Sequence, residues 1–263
     1  MIKVCSLSSG SNGNAFFIKT GNDSFLVDAG ISCKQIRLRL EQIGSHIDEI
    51  TGIFITHEHS DHIRGLDVLM RRFPVPIYIT EKTYRSIPTE IDTKYLNFIE
   101  SHGRFSINGT EIETLPKSHD AVDPTLVVFH YKGKKVSVIT DAGYGCSNVK
   151  EAIRGAGVVF LESNYDEEML RTGFYPQYLK KRIAGRHGHL SNVDAGTLIV
   201  KHAGPELEYV FLSHLSENNN TPTLALQTFK AVIGERADLH GLHTLLTSRH
   251  EISKMIEIPT SSG

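Results

Sequence analysis

Apolar and β-branched residues come in short runs at the start of the chain, and glycine-rich turn residues separate the runs. This pattern predicts strands with hairpin-like pairing. The predicted strands cover residues 2–7, 14–19, 24–28 and 52–56. Between the last two, Ile36, Leu40 and Ile43 follow a helical spacing that ends at Gly44, which predicts a helix over 33–43.

The rest of the chain continues with strands and helices. Helical spacing from Asp61 through Met70 predicts a helix that stops before Pro74. Further strands are predicted over residues 77–80, 95–100, 110–115, 126–131, 135–140, 158–161 and 209–213. Further helices are predicted over 82–86, 149–154, 192–202 and 221–233 and across 167–182. Two β-rich stretches, each followed by helices, favour an α/β fold with two facing sheets and helices outside, a four-layer αββα sandwich forming one domain over 1–263.

Composition narrows the class of protein. The chain has 263 residues, 40% of them hydrophobic, with a net charge of −2, so no global basic field marks a dedicated nucleic-acid binder. Its three cysteines lie far apart and form no Cys-x-x-Cys pair, which argues against a disulfide framework or a thiolate zinc site. The sequence shows neither a signal peptide nor a membrane-spanning apolar stretch, so the cytoplasm is the expected location. The 14 histidines direct attention to metal ligands.

The strongest chemical signal directly follows the predicted strand over 52–56. There His57, His59, Asp61 and His62 occur at spacings that would rarely arise by chance. Residues two apart beyond a strand end point to the same side, so His57 and His59 could hold one cation while Asp61 and His62 turn toward a second. Two neighbouring cations are a recurring device in hydrolases. The alternative is a solvated polar loop with stacked histidines.

The motif His57-x-His59-x-Asp61-His62 resembles the signature of the metallo-β-lactamase superfamily, and other family motifs follow in order. They are Asp28 after Phe25-Leu26-Val27, His119 in Lys117-Ser118-His119-Asp120, Asp141 in Thr140-Asp141-Ala142-Gly143, and His214 in Leu212-Ser213-His214. The resemblance implies one site of His57, His59 and His119 and a second of Asp61, His62, Asp141 and His214. It also implies that Asp141 bridges the two and that Asp28 supports the metal loop from behind. Taken singly, Asp28 could be a turn residue, and His119, Asp141 and His214 could be surface groups.

The implied ligands are imidazoles and carboxylates without a thiolate, a set that suits two divalent ions of zinc or manganese. A further pair resembles that of the transfer-RNA 3′-processing phosphodiesterases: Glu162 after a strand, and His189 before the helix over 192–202. By this resemblance His189 assists the leaving oxygen and Glu162 orients it. The alternative is a helix cap by Ser191 or Asn192, with His189 merely adjacent.

Substrate contacts are predicted in three places. The opening loop offers Ser8, Ser9, Ser11 and Asn12, which could cradle a phosphate or could form a bare turn. Ser191 lies beside His189. A basic cluster precedes it, made up of Lys180, Lys181, Arg182 and Arg186. Such clusters are usually solvated faces, but phosphate contacts need this charge.

Among subfamilies, the opening loop and the segments around Glu162, His189 and His214 most resemble the YycJ/WalJ group of bacterial hydrolases. This resemblance implies a 5′-to-3′ exonuclease that acts on double-stranded DNA, with nucleic acid as its partner and no membrane association. Two cations that acidify an attacking water would dominate the rate, with Asp61 essential and His189 secondary. The alternatives are a small-molecule metallo-hydrolase, either a cyclic phosphodiesterase or a glyoxalase-like thioesterase, and a redox or binding module on the same scaffold.

Overall fold

Two seven-stranded sheets face each other in the computed structural model, which describes residues 1–88, 90–234 and 236–260. Within those residues the strands are β1 (Ile2–Ser8), β2 (Ala15–Thr20), β3 (Asp23–Val27), β4 (Ile50–Phe54), β5 (Ile77–Ile79), β6 (Leu96–Phe98), β7 (Gly103–Ile107), β8 (Thr110–Pro116), β9 (Thr125–Tyr131), β10 (Lys134–Ile139), β11 (Val158–Glu162), β12 (Tyr209–Ser213), β13 (His243–Leu246) and β14 (Ile256–Ile258). The first sheet has the order β14-β1-β2-β3-β4-β5-β6, and the second has the order β13-β12-β11-β10-β9-β8-β7.

Strand direction brings the ends of many strands to one edge of the sandwich. In the first sheet β3, β4, β5 and β6 are parallel, and β1 runs the same way because it is antiparallel to β2, which is antiparallel to β3. In the second sheet β8, β10, β11, β12 and β13 share one direction by the same reasoning. Backbone hydrogen bonds from Thr125 to Thr56 and from Ser9 to Ser248, both 3.0 Å, join the two sheets at this edge. Loops from both sheets therefore meet there.

Helices cover the outer faces of both sheets. They are α1 (Cys33–Gln42), α2 (Ser60–Ile63), α3 (Leu66–Arg72), α4 (Glu81–Ser86), α5 (Ser147–Ile153), α6 (Glu167–Thr172), α7 (Gln177–Ile183), α8 (Asn192–His202) and α9 (Pro222–Ile233). The predicted four-layer sandwich is confirmed. Among the described residues, no helix combines the length and the apolar character that crossing a membrane requires.

The core lies in three layers, which explains why the strands read as nearly continuous apolar runs. Alternate residues of each strand point between the sheets, where Phe16 contacts Phe160, and Phe25 and Phe54 contact Phe129. The intervening residues face outward and pack against helices, α1 and α3 on one side and α5, α8 and α9 on the other. This packing fixes the two sheets against each other and thereby fixes the edge where their loops meet.

The predicted helix from Asp61 to Met70 is wrong as one continuous element, because the chain breaks it at Gly65 between α2 and α3. Gly65 N donates to Ala29 O at 2.8 Å, and a side chain at Gly65 would lie 2.1 Å from Ile31 O. The break therefore allows the loop after β3 to approach the metal-binding motif. The prediction also missed β7, β13 and β14, which are three of the four outermost strands of the two sheets.

Candidate metal centre

Loops at the shared edge bring all seven predicted ligands together. The first sheet supplies the ligands after β4 and in α2, and the second supplies those after β8, β10 and β12. Their candidate donor atoms form two groups, each with atoms within 4.8 Å of one another: His57, His59 and His119 in one, and Asp61, His62, Asp141 and His214 in the other. The grouping is the one that the sequence motifs predicted.

Hydrogen bonds on the far side of each ring determine which nitrogen faces the centre. The Thr56 hydroxyl donates to Asp28, so it accepts from His57 Nδ1 at 2.9 Å. His119 Nδ1 donates to Gly188 O at 3.1 Å. In both rings Nε2 is therefore left with its lone pair directed at the centre.

Two features of the group of His57, His59 and His119 favour the binding of a cation. His57 Nε2 is buried and has no hydrogen-bond partner among the residues that the structure describes. His119 Nε2 and His59 Nδ1 lie 3.3 Å apart. Because a buried polar atom without a partner is unfavourable, and the three nitrogens lie within 4.8 Å of one another, the arrangement suits a positive ion placed among them.

Asp141 connects the two groups. Its Oδ2 lies 3.0 Å from His62 Nε2, and its Oδ1 lies 3.5 Å from His214 Nε2 and 3.8 Å from His119 Nε2. Asp61 Oδ2 lies 3.4 Å from His214 Nε2. One buried carboxylate thus reaches imidazoles of both groups, as expected of a bridging ligand.

Charge differs between the two groups. Burial lowers the pKa of His57 and lowers the pKa of His119 to about 4, so both rings are neutral and can act as ligands. Burial also opposes a charge on His214, but Asp141, Asp61 and Glu162 outweigh it and raise the pKa of His214 to about 10. The same negative field that holds a proton on His214 would stabilise a divalent cation in its place.

Metal binding is therefore expected to release at least one proton per molecule at pH 7. His214 must lose its proton to become a ligand, so the apparent affinity should rise with pH until the pH passes about 10. Titration calorimetry of the stripped protein with zinc, in two buffers of different ionisation enthalpy, measures the release. The variant H240Q, altered far from the motifs, is the control. Equal heats in both buffers would contradict this reading.

Asp28 holds the metal loop from behind. It is fully buried, its Oδ1 accepts from Thr56 N at 2.9 Å, and its Oδ2 accepts from His62 Nδ1 at 2.7 Å. The second bond leaves His62 Nε2 facing Asp141. Asp28 therefore fixes the orientation of His62 while lying outside the two groups.

The substitution Asp28→Asn is expected to weaken metal binding about 10- to 100-fold, as is typical when a partner of a ligating histidine is lost. The amide cannot supply the charge that orients and strengthens His62 as a ligand. Competition with a chromophoric chelator measures the affinity. Asp67→Asn, on the exposed face of α3, is the matched control. An affinity equal to that of the control would remove Asp28 from the centre.

Three residues of the centre have a left-handed backbone. They are Asp28 with φ of 64°, Asp141 with φ of 52° and His214 with φ of 55°, each just beyond the end of a strand. Outside glycine this conformation is uncommon and costs about 1–3 kcal/mol. It turns the chain sharply at the sheet edge, where these side chains meet.

Glu162 and His189 lie directly beside the second group. Glu162 Oε1 accepts from His189 Nδ1 at 2.7 Å and from His214 Nδ1 at 2.9 Å, while its Oε2 accepts from Ala142 N at 2.8 Å. Burial would raise the pKa of Glu162, but His189 and His214 lower it to about 2. The ionised carboxylate thus orients both rings, and His189 keeps Nε2 for contacts in the cavity.

The centre opens into a cavity of about 210 Å³. Its walls include His59, His119, Asp61, Asp141, His189 and His214, with Ser11, Asp120, Leu179, Arg182, Ile183 and Gly188 around them. Of the predicted substrate-binding residues, Ser11 and Arg182 therefore border the ligands directly. Arg182 Nε also donates to Asp120 at 2.5 Å.

The other predicted substrate-binding residues lie elsewhere. Ser8 and Ser9 are buried, and their hydroxyls bond to Gly13 and Asn14 within the opening loop. Ser191 is the N-cap of α8, and its side chain accepts from Asp194 N, which is the role that the helix-cap alternative gave it. The hydroxyls of Ser8, Ser9 and Ser191 are therefore engaged in hydrogen bonds within the protein. Asn12 is exposed and donates to Glu217.

The basic residues of the predicted cluster are spread over α7 and the loop after it. Lys180 donates to Arg171 O at 2.8 Å, and Lys181 is exposed. The guanidinium of Arg186 stacks 4.4 Å from the centre of the Tyr144 ring. The cluster is therefore partly anchored by local contacts, and it borders the cavity through Arg182 alone.

Sequence reasoning missed two supporting residues. Asn14 Nδ2 lies 3.2 Å from His62 Nε2 and 3.3 Å from Asp61 Oδ2, so it joins the opening loop to the second group. Lys117 is buried, and its ammonium donates to Thr140 O at 2.5 Å, next to Asp141. Lys117 lies in the motif of His119, and Asn14 follows the opening loop, but nothing in the sequence distinguishes their side chains from those of ordinary loop residues.

The residues of this centre fall mostly within a segment that matches a known family. The family model of the metallo-beta-lactamase superfamily matches residues 9–178. The chain is 39% identical over 238 residues to exodeoxyribonuclease YycJ of Bacillus anthracis, with 88% of each chain covered. It is 37% identical over 234 residues to exodeoxyribonuclease WalJ of Streptococcus pneumoniae, with 86% of each chain covered.

A solved structure supports the same architecture. The metallo-beta-lactamase fold protein YhfI from Bacillus subtilis superposes with a TM-score of 0.74, over 98% of this chain and all of that one. The two sequences are 15% identical, so the likeness concerns the fold.

Proposed function

This chain belongs to the metallo-beta-lactamase superfamily, in the branch of the YycJ and WalJ exodeoxyribonucleases, and on this premise we propose that it is a metal-dependent exonuclease acting on DNA. The expected mode is removal of nucleotides from the 5′ end of a duplex. The observation that carries the proposal is the pair of ligand groups joined by Asp141, beside the Glu162–His189 pair, in one open cavity.

Two divalent ions of zinc or manganese are proposed for the two groups. His57, His59 and His119 would hold one; Asp61, His62 and His214 would hold the other; Asp141 would reach both. When bound, such ions supply positive charge against the reacting phosphate and a water that is acidic enough to attack at neutral pH.

His189 is proposed to protonate the leaving oxygen. Its Nδ1 proton is held by Glu162, its side chain is partly exposed, and it borders the cavity. Its Nε2 is left for contacts in the cavity and would carry the proton that is transferred. Transfer of that proton to the departing oxygen leaves a neutral ring that remains oriented by the same bond.

The small volume of the cavity favours a polymer, of which only one group enters, over a small molecule that is enclosed whole. Its volume of about 210 Å³ is below the roughly 300–1,000 Å³ of sites that enclose whole small molecules. A phosphodiester group could enter while the rest of the strand stays outside. Arg182 at the wall, with Lys181 and Arg186 nearby in the chain, would supply positive charge to such a strand.

The test is to strip the protein, reload it with zinc or manganese, and offer it labelled substrates. These are linear DNA duplexes labelled at the 5′ or the 3′ end, single-stranded DNA, RNA, cyclic nucleotides and a glutathione thioester. Asp61→Ala is the inactive control. We expect early release of the 5′ label from duplex DNA. Turnover of only a cyclic nucleotide or a thioester would refute the proposal.

A further inference from the structure

The segment over residues 171–186 has a charge unlike that of the whole chain. It contains five basic residues and no acidic one, whereas the protein carries a net charge of −2. The five are Arg171, Lys180, Lys181, Arg182 and Arg186. Arg171 pairs with Glu168 and Arg182 pairs with Asp120, so the positive charge without a carboxylate partner among the described residues lies on Lys180, Lys181 and Arg186. Local positive charge of this kind attracts a polyanion even when the molecule as a whole does not.

The same segment carries the two most exposed large apolar side chains among the described residues. Phe174 is 79% exposed and Tyr178 is 75% exposed. No residue of α7 is buried, so the helix presents Tyr178 to solvent instead of to a core. Tyr175, packed against Phe174 at 4.9 Å between ring centres, accepts a hydrogen bond from Asn218, which anchors the segment to the loop after β12.

Tyr178 lies on α7, the helix that contributes residues to the wall of the metal cavity. Leu179, Arg182 and Ile183 form part of the cavity wall. Residues four apart are neighbours on a helix surface, so Tyr178 lies one turn from Arg182. Its phenol ring is exposed to solvent, next in the chain to Leu179 of the cavity wall and one helical turn before Arg182.

We propose that Phe174 and Tyr178 form a stacking surface for unpaired bases at the end of the DNA strand whose phosphate enters the cavity. Exposed aromatic rings interleaved with basic side chains bind single strands, because rings stack on base faces while cations contact phosphates. Bases inside a duplex have no free faces, so this surface selects strand ends that have frayed or that overhang. The inference rests on the proposed nuclease function and adds to it the form of DNA end that is preferred.

Binding is measured in the Asp61→Ala background, so that DNA is not consumed. The probe is a duplex with a two-nucleotide 5′ overhang that carries 2-aminopurine, whose fluorescence is quenched on stacking. We expect quenching on binding, and a loss of quenching together with at least fivefold weaker affinity after Phe174→Ala or Tyr178→Ala, the lower end for one stacked base. Phe174→Tyr and Tyr178→Phe keep the rings and should retain both signals.

The matched control is Phe98→Ala, which removes an exposed ring from the outer strand β6. Cleavage by otherwise wild-type protein forms a second arm: the ring-deleting variants should lose the preference for overhanging over blunt duplex ends. Since both side chains are mostly exposed, unchanged circular dichroism is expected.

The outcomes separate the two proposals. DNA cleavage by loaded wild-type protein, with quenching and end preference unchanged in both alanine variants, overturns the stacking surface alone. Variants that change the sedimentation coefficient and leave quenching intact would assign the two rings to contact between copies of the chain, which also overturns it. If no loaded protein cleaves DNA, the nuclease proposal fails, and the stacking surface fails as a feature of it.

Discussion

Replacing Asp61 with alanine is expected to lower kcat/KM for DNA by at least about 10³-fold, whereas His189→Ala should lower it by about 10²-fold. Loss of a ligand removes several kcal/mol of charge stabilisation, and each 1.36 kcal/mol is worth a factor of about ten in rate. Loss of a proton donor costs the smaller amount typical of general acid catalysis. The two variants should differ in their loss of kcat/KM because Asp61 belongs to the second group of proposed ligands, whereas His189 lies beside that group.

A change of leaving group distinguishes the two roles. A p-nitrophenyl phosphodiester of thymidine releases an anion that needs no proton, so it should restore most of the activity of His189→Ala and little of that of Asp61→Ala. Single-turnover rates on this ester and on duplex DNA are compared for both variants, with Asp67→Ala as surface control. A reversed order of damage, or equal rescue of both variants, would disprove the assignment.

Adding zinc or manganese to stripped protein is expected to raise Tm by roughly 8–16 °C. Free ion at a thousand times Kd stabilises a folded protein by about 4 kcal/mol. In a chain of this size each kcal/mol shifts Tm by roughly 2–4 °C. The expected rise in Tm reflects where the proposed ligands lie. They come from loops of both sheets, so bound ions would hold the loops together.

Asp141→Asn sharpens this test. The amide retains the shape of the side chain but removes the charge shared between the two groups, so the rise in Tm should fall to less than half of the wild-type value. Thermal melts followed by circular dichroism, with and without chelator, provide the measurement, and elemental analysis gives the number of ions bound. A variant that binds two ions and shows the full wild-type rise would exclude Asp141 as the bridge.

Much of the architecture could be predicted because its causes are local. Strands buried on both faces give unbroken apolar runs such as Phe25–Val27 and Val158–Leu161, and the sequence marks them clearly. The motif that begins at His57 directly follows such a strand, so its place at a sheet edge followed from the strand alone. The structure brings the seven proposed ligands together in the two groups that the family resemblance implied.

Most of what escaped prediction depends on distant contacts. The strands β7, β13 and β14 are short edge strands, and β14 is identified only by its pairing with β1 at the other end of the chain. The break at Gly65 exists because the loop after β3 approaches it closely. Asn14 reaches His62 across 48 positions in sequence. Strand β7 is the exception, because it pairs with its neighbour β8 across the turn at Asn108 and Gly109. For the other features the partner that determines the structure lies far along the chain, where no local pattern shows it.

The left-handed backbone at Asp28, Asp141 and His214 has a consequence for protein engineering. Glycine would adopt these conformations without strain, so each replacement should relieve some of the local cost while deleting a group that serves the cations. A stability-guided design that scores backbone conformation alone would therefore choose these three positions, and its products would lose both the reaction and the contribution that bound cations make to Tm.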